Sequence, residues 1–144
     1  MRLTNYTDYS LRVLIYLSLQ NGEKLSNIKE IADSYHISKN HLMKVTHELG
    51  KLGYIETIRG RNGGVKLAKH PREINIGEVV SKTEEDFHLV ECFNKETSLC
   101  ALTPSCKLRL ALAEALQAFI DVLKKYTLED LVHNRDDLRK LLDS

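Results

Sequence analysis

Ser38-Lys39-Asn40-His41-Leu42-Met43-Lys44-Val45-Thr46-His47-Glu48-Leu49-Gly50-Lys51 is the stretch on which the fold turns. Leu42, Val45 and Leu49 recur at helical spacing, so one side of a helix is apolar. Asn40, Lys44, His47 and Lys51 fall on the other side with Met43 beside them and no acid among them. Ser38 is a natural N-cap and Gly53 a natural stop. Upstream, Asn27 and Glu30 form a capping-box pattern ahead of Ile28, Ile31, Ala32 and Tyr35, the buried stripe of a shorter helix. Only His36-Ile37 separates the two, which predicts a helix-turn-helix. Amide and cationic side chains on an exposed helix face suit a major groove, where Asn pairs with adenine and Lys with guanine or phosphate.

Downstream, Tyr54–Ile58 and Val65–Leu67 alternate as strands around Arg59-Gly60-Arg61-Asn62-Gly63-Gly64. The glycines permit positive φ and close backbone approach. Arg59 and Arg61 can reach phosphates or a narrow minor groove. A basic hairpin directly after a helix-turn-helix is a wing. The expected fold is therefore mostly α with a small β-hairpin: a winged helix-turn-helix domain plus a long C-terminal dimerisation helix. Further upstream, Thr4 to Gln20 carries two apolar stripes and predicts a helix covered on most sides, stopped by Asn21-Gly22.

After Pro71, Asn75 and Glu78 cap a short helix with Ile76, Val79 and Val80, followed by the acidic stretch Glu84-Glu85-Asp86. A long helix is expected from about Cys106 to Tyr126. Leu108, Leu112, Ala115, Phe119, Val122 and Tyr126 form a heptad-like seam, widened by Leu116, Ile120 and Leu123. That face fits a second subunit, the other possibility being an intramolecular core helix. Thr127 and Asp130 cap a last short helical region. The expected division is 1–74 for the DNA-binding domain, 75–107 for a short helix and cluster-binding loop, and 108–144 for the dimerisation helix and tail.

Composition narrows the function. The chain has 144 residues, 42% apolar and 28% charged, with no tryptophan and two prolines. The amounts suit a folded helical domain. The apolar run Val13–Leu17 is too short for a membrane span or signal core, so a cytoplasmic protein is expected. Residues 1–74 carry 12 Lys and Arg against 7 Asp and Glu, whereas residues 75–144 carry 9 against 13. A basic N-terminal half permits contact with a polyanion. There is no C-x-x-C, no phosphate loop and no nucleophile–base pair, so an enzyme is not expected.

Three cysteines, Cys92, Cys100 and Cys106, are an odd number in one short segment, which a disulfide framework does not favour. Thiolates are soft ligands for iron–sulfur clusters, zinc or copper(I). The spacing lacks the tight knuckles of structural zinc. From the residues alone a cluster, a zinc site completed by His88, and redox-sensing or inert thiols all stay open. Asp8 forms an i,i+4 pair with Arg12, which needs no further role.

Taken together, Arg2–Arg12, Ser38–Leu42, Arg59–Gly64, Ile76–Val80 and the cysteine triplet resemble the NsrR repressors. These are nitric-oxide-sensing members of the iron–sulfur winged-helix family that includes IscR. The resemblance spans nearly the whole chain. It implies a homodimeric repressor that binds double-stranded palindromic promoter DNA through the third helix and wing. The implied contacts are Ser38, Lys39, Asn40, His41, Lys44, His47, Arg59, Arg61 and Asn62. It further implies a cluster on Cys92, Cys100 and Cys106, four-iron with a two-iron form as the alternative, and nitric oxide as the signal. Asp8 of the partner subunit is the implied fourth ligand. IscR-like relatives instead place a histidine shortly after the last cysteine; here Lys107 follows Cys106 and no histidine appears before His133. The alternatives are a regulator sensing cluster supply or oxidation, or a zinc-stabilised regulator.

Overall fold

In the computed structural model, which describes residues 1–144, the helix-turn-helix consists of α2 (Ile28–Tyr35) and α3 (Lys39–Lys51). It is preceded by α1 (Asn5–Ser18) and followed by β1 (Ile55–Ile58), β2 (Gly64–Leu67), α4 (Ile76–Thr83), α5 (Lys107–Leu123) and α6 (Arg135–Asp143). This is a winged helix with a long C-terminal helix, as the sequence predicts. No helix is long and apolar enough to cross a membrane.

Local chemistry sets the element ends. Thr4 caps α1, Ser38 caps α3 and Asn75 caps α4, each accepting the backbone N–H three residues on. Asn27 caps α2 differently from the expected reciprocal box: its side chain accepts from Lys29 N at 2.7 Å, one residue short of Glu30. The turn of the motif is a Schellman closure, with His36 in the left-handed region at φ 55°. Ile37 N donates to Ala32 O and His36 N to Asp33 O. The end of α3 repeats the device with Gly53 at φ 84°, Tyr54 N donating to Leu49 O and Gly53 N to Gly50 O.

The wing is antiparallel, with Ile55 opposite Leu67 and Ile58 opposite Gly64. Ser26 and Val65 exchange two backbone hydrogen bonds of 2.9 and 2.8 Å, so the α1–α2 connection pairs with β2. Gly64 faces this third segment: a Cβ there would lie 2.7 Å from Ser26 O. The hairpin is thereby anchored at its base.

Val13 and Leu14 of α1, Leu42, Val45 and Leu49 of α3, and Tyr54 and Val65 of the wing meet in one core. That core continues past residue 74 through Ile74, Ile76 and Val79, and takes in Leu128 beyond α5. Packing therefore runs across the expected boundary at 74/75.

The C-terminal region departs from expectation. α5 ends at Leu123, earlier than Tyr126, because the next carbonyls are taken from outside the helix. Asn75 Nδ2 donates to Lys124 O at 2.7 Å, and Ile76 N donates to Tyr126 O at 2.9 Å. Thr127 and Asp130 do cap each other, but around a short 3₁₀ turn, Glu129–Val132. A separate helix, α6, follows and packs back on α2. Its Arg135 and Arg139 donate to Ser18 O and Leu19 O, cations on the free carbonyls at the end of α1.

Candidate nucleic-acid interface and cysteine segment

The exposed face of α3 carries Lys39, Asn40, Met43, Lys44 and His47, with Ser38 at its N-cap. Met43 stands about half exposed in the middle of this polar face. Lys39 and Lys44 have no carboxylate within ion-pair distance, whereas Lys51 is held by Glu48 at 3.3 Å. His41 is different: it is half-buried, and its ring meets Tyr9 of α1 edge-on at 4.8 Å between centroids. One side of that imidazole is thus occupied by packing.

On the wing, Arg59, Arg61 and Asn62 are exposed at the tip, and neither arginine has an acidic partner. The remaining wing cation, Lys66, is neutralised by Glu23 at 2.7 Å and Glu56 at 3.9 Å. The hydrogen bond from Lys66 lowers the Glu23 carboxyl below its ordinary value and raises the lysine correspondingly. Positive charge without an acidic partner is therefore present along α3 and at the hairpin tip, as contact with phosphates requires.

The three cysteines are unbridged: Cys92 is buried, Cys106 half-buried and Cys100 exposed. Cys106 is the N-cap of α5, its Sγ accepting from Arg109 N at 3.4 Å. Arg109 also reaches back, its Nε donating to Cys92 O at 3.4 Å, so one residue meets both ends of the segment, Cys106 through its backbone N–H and Cys92 through its side chain. A cation in the first turn opposes the helix dipole, which is the only trace this role leaves in the sequence.

No three His, Cys, Asp or Glu side chains of this chain converge on a point that could hold a metal ion. The donor chemistry nonetheless suits a soft inorganic cluster: three free thiols in one segment, one already at a helix N-terminus. Asp8 makes a bidentate pair with Arg12, at 3.1 and 2.9 Å, on a partly exposed face of α1. The Arg12 guanidinium also lies 5.7 and 5.8 Å from the Tyr9 and Tyr35 rings. Burial pushes the Tyr35 hydroxyl up to about 12, and it donates to Arg12 O. His88 sits 3.7 Å from Asp86 and joins no cysteine group. His70 caps the Pro71–Glu73 turn through Nδ1.

Sequence inspection missed Glu84, visible there only as part of an acidic run. Its carboxylate accepts from Thr4 N at 3.1 and 3.2 Å, from Thr4 Oγ1, and from Thr7 Oγ1 at 2.5 Å. Partial burial acts to raise Glu84, but these hydrogen bonds outweigh it and hold the carboxyl below its ordinary value. Buried Thr83 Oγ1 lies 2.9 Å from Thr7 Oγ1. The segment leading to Cys92 thus starts at a carboxylate that caps α1.

Along α5 only Ile120 is buried, while Leu108 and Leu110 are about two-thirds exposed and Val122, with Tyr126 just beyond the helix, about half. A groove of about 580 Å³ between the N-terminal segment, residues 84–89 and α5 continues this open face, with Leu116 and Phe119 in its wall.

Comparison with known proteins agrees with this geometry. A family model described as "Rrf2: Iron-dependent Transcriptional regulator" matches residues 3–134. The chain is 65% identical to the HTH-type transcriptional regulator NsrR of Shouchella clausii, over 99% of this chain and 95% of that one. It is 61% identical to the regulator of the same name from Bacillus subtilis, over 99% and 97%. Among solved structures it resembles CymR, the global cysteine regulator of B. subtilis, at a TM-score of 0.69 and 26% identity, covering 91% of this chain and 95% of that one. The relatives are transcriptional regulators rather than enzymes, and this chain belongs to the Rrf2 family.

Proposed function

We propose that the chain is a homodimeric repressor that binds a palindromic promoter site and is released when nitric oxide reacts with an iron–sulfur cluster on its cysteine segment. One observation carries this proposal. The segment with the three thiols begins at the carboxylate that caps α1 and ends at the thiol that caps α5. A change in its order is therefore felt at once by the DNA-binding domain and by the long helix.

The α3 face supplies base and phosphate contacts through Ser38, Lys39, Asn40, Lys44 and His47, and Arg59, Arg61 and Asn62 extend them from the wing. His41, packed against Tyr9, orients the recognition helix on α1. Two copies joined along the open face of α5 present two such surfaces with two-fold symmetry. Residues 1–74 then read DNA, 75–107 sense, and 108–144 join the subunits.

Cys92, Cys100 and Cys106 would hold the cluster, with Asp8 of a second copy completing the set. When bound, a cluster supplies iron that nitric oxide can bind, and a carboxylate is a weaker ligand to such iron than a thiolate. Within each chain, Arg109 keeps Cys92 and Cys106 in register, and Glu84 ties the segment to α1. Loss of order between residues 84 and 106 loosens both ties and lets the recognition helices shift. A loss of about 3–4 kcal/mol lowers affinity a few hundredfold, enough for release.

The test is anaerobic reconstitution with iron and sulfide, then titration of a fluorescent promoter palindrome before and after nitric oxide. Tight binding lost on exposure is expected. Unchanged affinity would refute the sensing step, and a colourless protein with one zinc per chain would replace the cluster by a zinc site.

A further inference from the structure

We propose that Gly77 is a positioning residue that fixes the angle between the DNA-reading domain and α5, and with it the half-site spacing that the dimer accepts. The inference rests on the dimeric DNA-binding function proposed above. Where α4 passes the C-terminal end of α5 there is no room for a side chain. A Cβ on Gly77 would lie 2.4 Å from Lys124 Cγ, 2.7 Å from Lys124 N and 2.9 Å from Lys124 Cα. Two of those atoms are backbone, so swinging the lysine side chain aside does not clear the space.

The same crossing is tied by directed bonds. Asn75 Nδ2 donates to Lys124 O at 2.7 Å, Ile76 N to Tyr126 O at 2.9 Å, and Leu128 N to Ile74 O at 2.8 Å. Leu128 itself is fully buried in the winged-helix core. One end of α5 is therefore clamped to the DNA-binding domain, while most of its length is exposed. Any change at the clamp tilts the whole helix.

The lever is long. The 17 residues of α5 span about 25 Å at ~1.5 Å per residue. Restoring ordinary contact of 3.4 Å from 2.7 Å requires Lys124 N to retreat by roughly 0.7 Å. Taken up over one helical turn of ~5.4 Å, that is a tilt of about 7° and a movement of about 3 Å at the far end. About half of that movement, ~1.5 Å, applies at the middle of α5, so the two copies together change the half-site separation by about one ~3.4 Å base-pair step.

The experiment first recovers a palindrome from a random pool with the full-length dimer purified anaerobically. Affinities are then measured for that palindrome and for versions with one base pair added to or removed from the spacer. Gly77→Ala is expected to stay dimeric, to bind the original spacing about tenfold more weakly, and to prefer a spacer altered by one base pair. A folded, dimeric Gly77→Ala with the original optimum overturns the proposal, because a merely structural glycine changes affinity on all spacers alike. Asn75→Asp provides the second arm: it keeps the oxygen that caps α4 but removes the N–H donated to Lys124 O. It is expected to flatten the discrimination between neighbouring spacers at least threefold. Unchanged discrimination there overturns the proposal even if Gly77→Ala does not fold. If the parent dimer recovers no palindrome at all, the DNA-reading function fails, and this inference with it.

Discussion

Replacing Glu84 by alanine removes the carboxylate that braces the N-cap of α1, leaving Thr4 Oγ1 as the acceptor from Thr7 N. Thr4 N, Thr4 Oγ1 and Thr7 Oγ1 all donate to that one carboxylate. A hydrogen bond to the carboxylate contributes about 0.5–1.5 kcal/mol net, and loss of a negative charge at a helix N-terminus costs about 0.3–1 kcal/mol more. The site is partly solvated, so water recovers some of this, and about 2 kcal/mol is the expected total. For a chain of this size that lowers Tm by roughly 4–8 °C. Glu84→Gln keeps acceptor oxygen but not charge and is expected to lose about half as much. The pH dependence has a definite sign. The folded carboxyl lies below its ordinary value of 4.5, so the stabilisation that depends on its charge is complete above that pH and is lost as pH falls through the folded value. Thermal unfolding followed by circular dichroism at pH 7 and pH 3 measures this. The gap between parent and Glu84→Ala is expected to be widest at pH 7 and to narrow at pH 3 towards the part that Glu84→Gln retains. A gap of equal size at both, or none at pH 7, refutes the role given to this carboxylate.

Three further outcomes follow from the geometry. Gly64→Ala places a methyl against Ser26 O and is expected to cost about 1–3 kcal/mol in denaturant unfolding, while weakening DNA binding through a misplaced wing. His36→Gly relieves a non-glycine residue at φ 55° and is expected to stabilise by up to about 1 kcal/mol in the same assay; destabilisation would mean the imidazole makes a contribution of its own. Removing Arg59 and Arg61 together is expected to weaken binding to all duplexes alike, and to reduce the dependence of log affinity on log salt by about 2. An unchanged salt slope would place those side chains away from phosphate.

The fold was legible because its signals are local. Leu42, Val45 and Leu49 mark the buried side of α3, Ser38 and Gly53 its ends, and Arg59–Gly64 the wing, all within a few residues of one another. The proposed DNA face was legible for the same reason, being the complement of the buried stripe. What sequence inspection missed depends on contacts between distant residues. Glu84 reaches Thr4 and Thr7 across the chain, and Arg139 reaches Leu19. Gly77 looks like an ordinary helical glycine until Lys124 is seen against it. Similarly, α5 stops early because Asn75 and Ile76 capture the carbonyls of Lys124 and Tyr126 just beyond it, which no periodicity in α5 records. His41 is among the contacts that the resemblance implies, yet Tyr9 lies against it.

Control of DNA affinity by the cysteine segment is tested most directly by changing Cys92, Cys100 and Cys106 together to serine. Promoter-palindrome affinity is then measured anaerobically for the parent and the variant across a nitric oxide titration. The parent is expected to bind tightly and to lose that affinity as the gas is added, while the variant binds weakly throughout and does not respond. A variant that binds as tightly as the parent, and is released by the same amount of nitric oxide, would contradict that control.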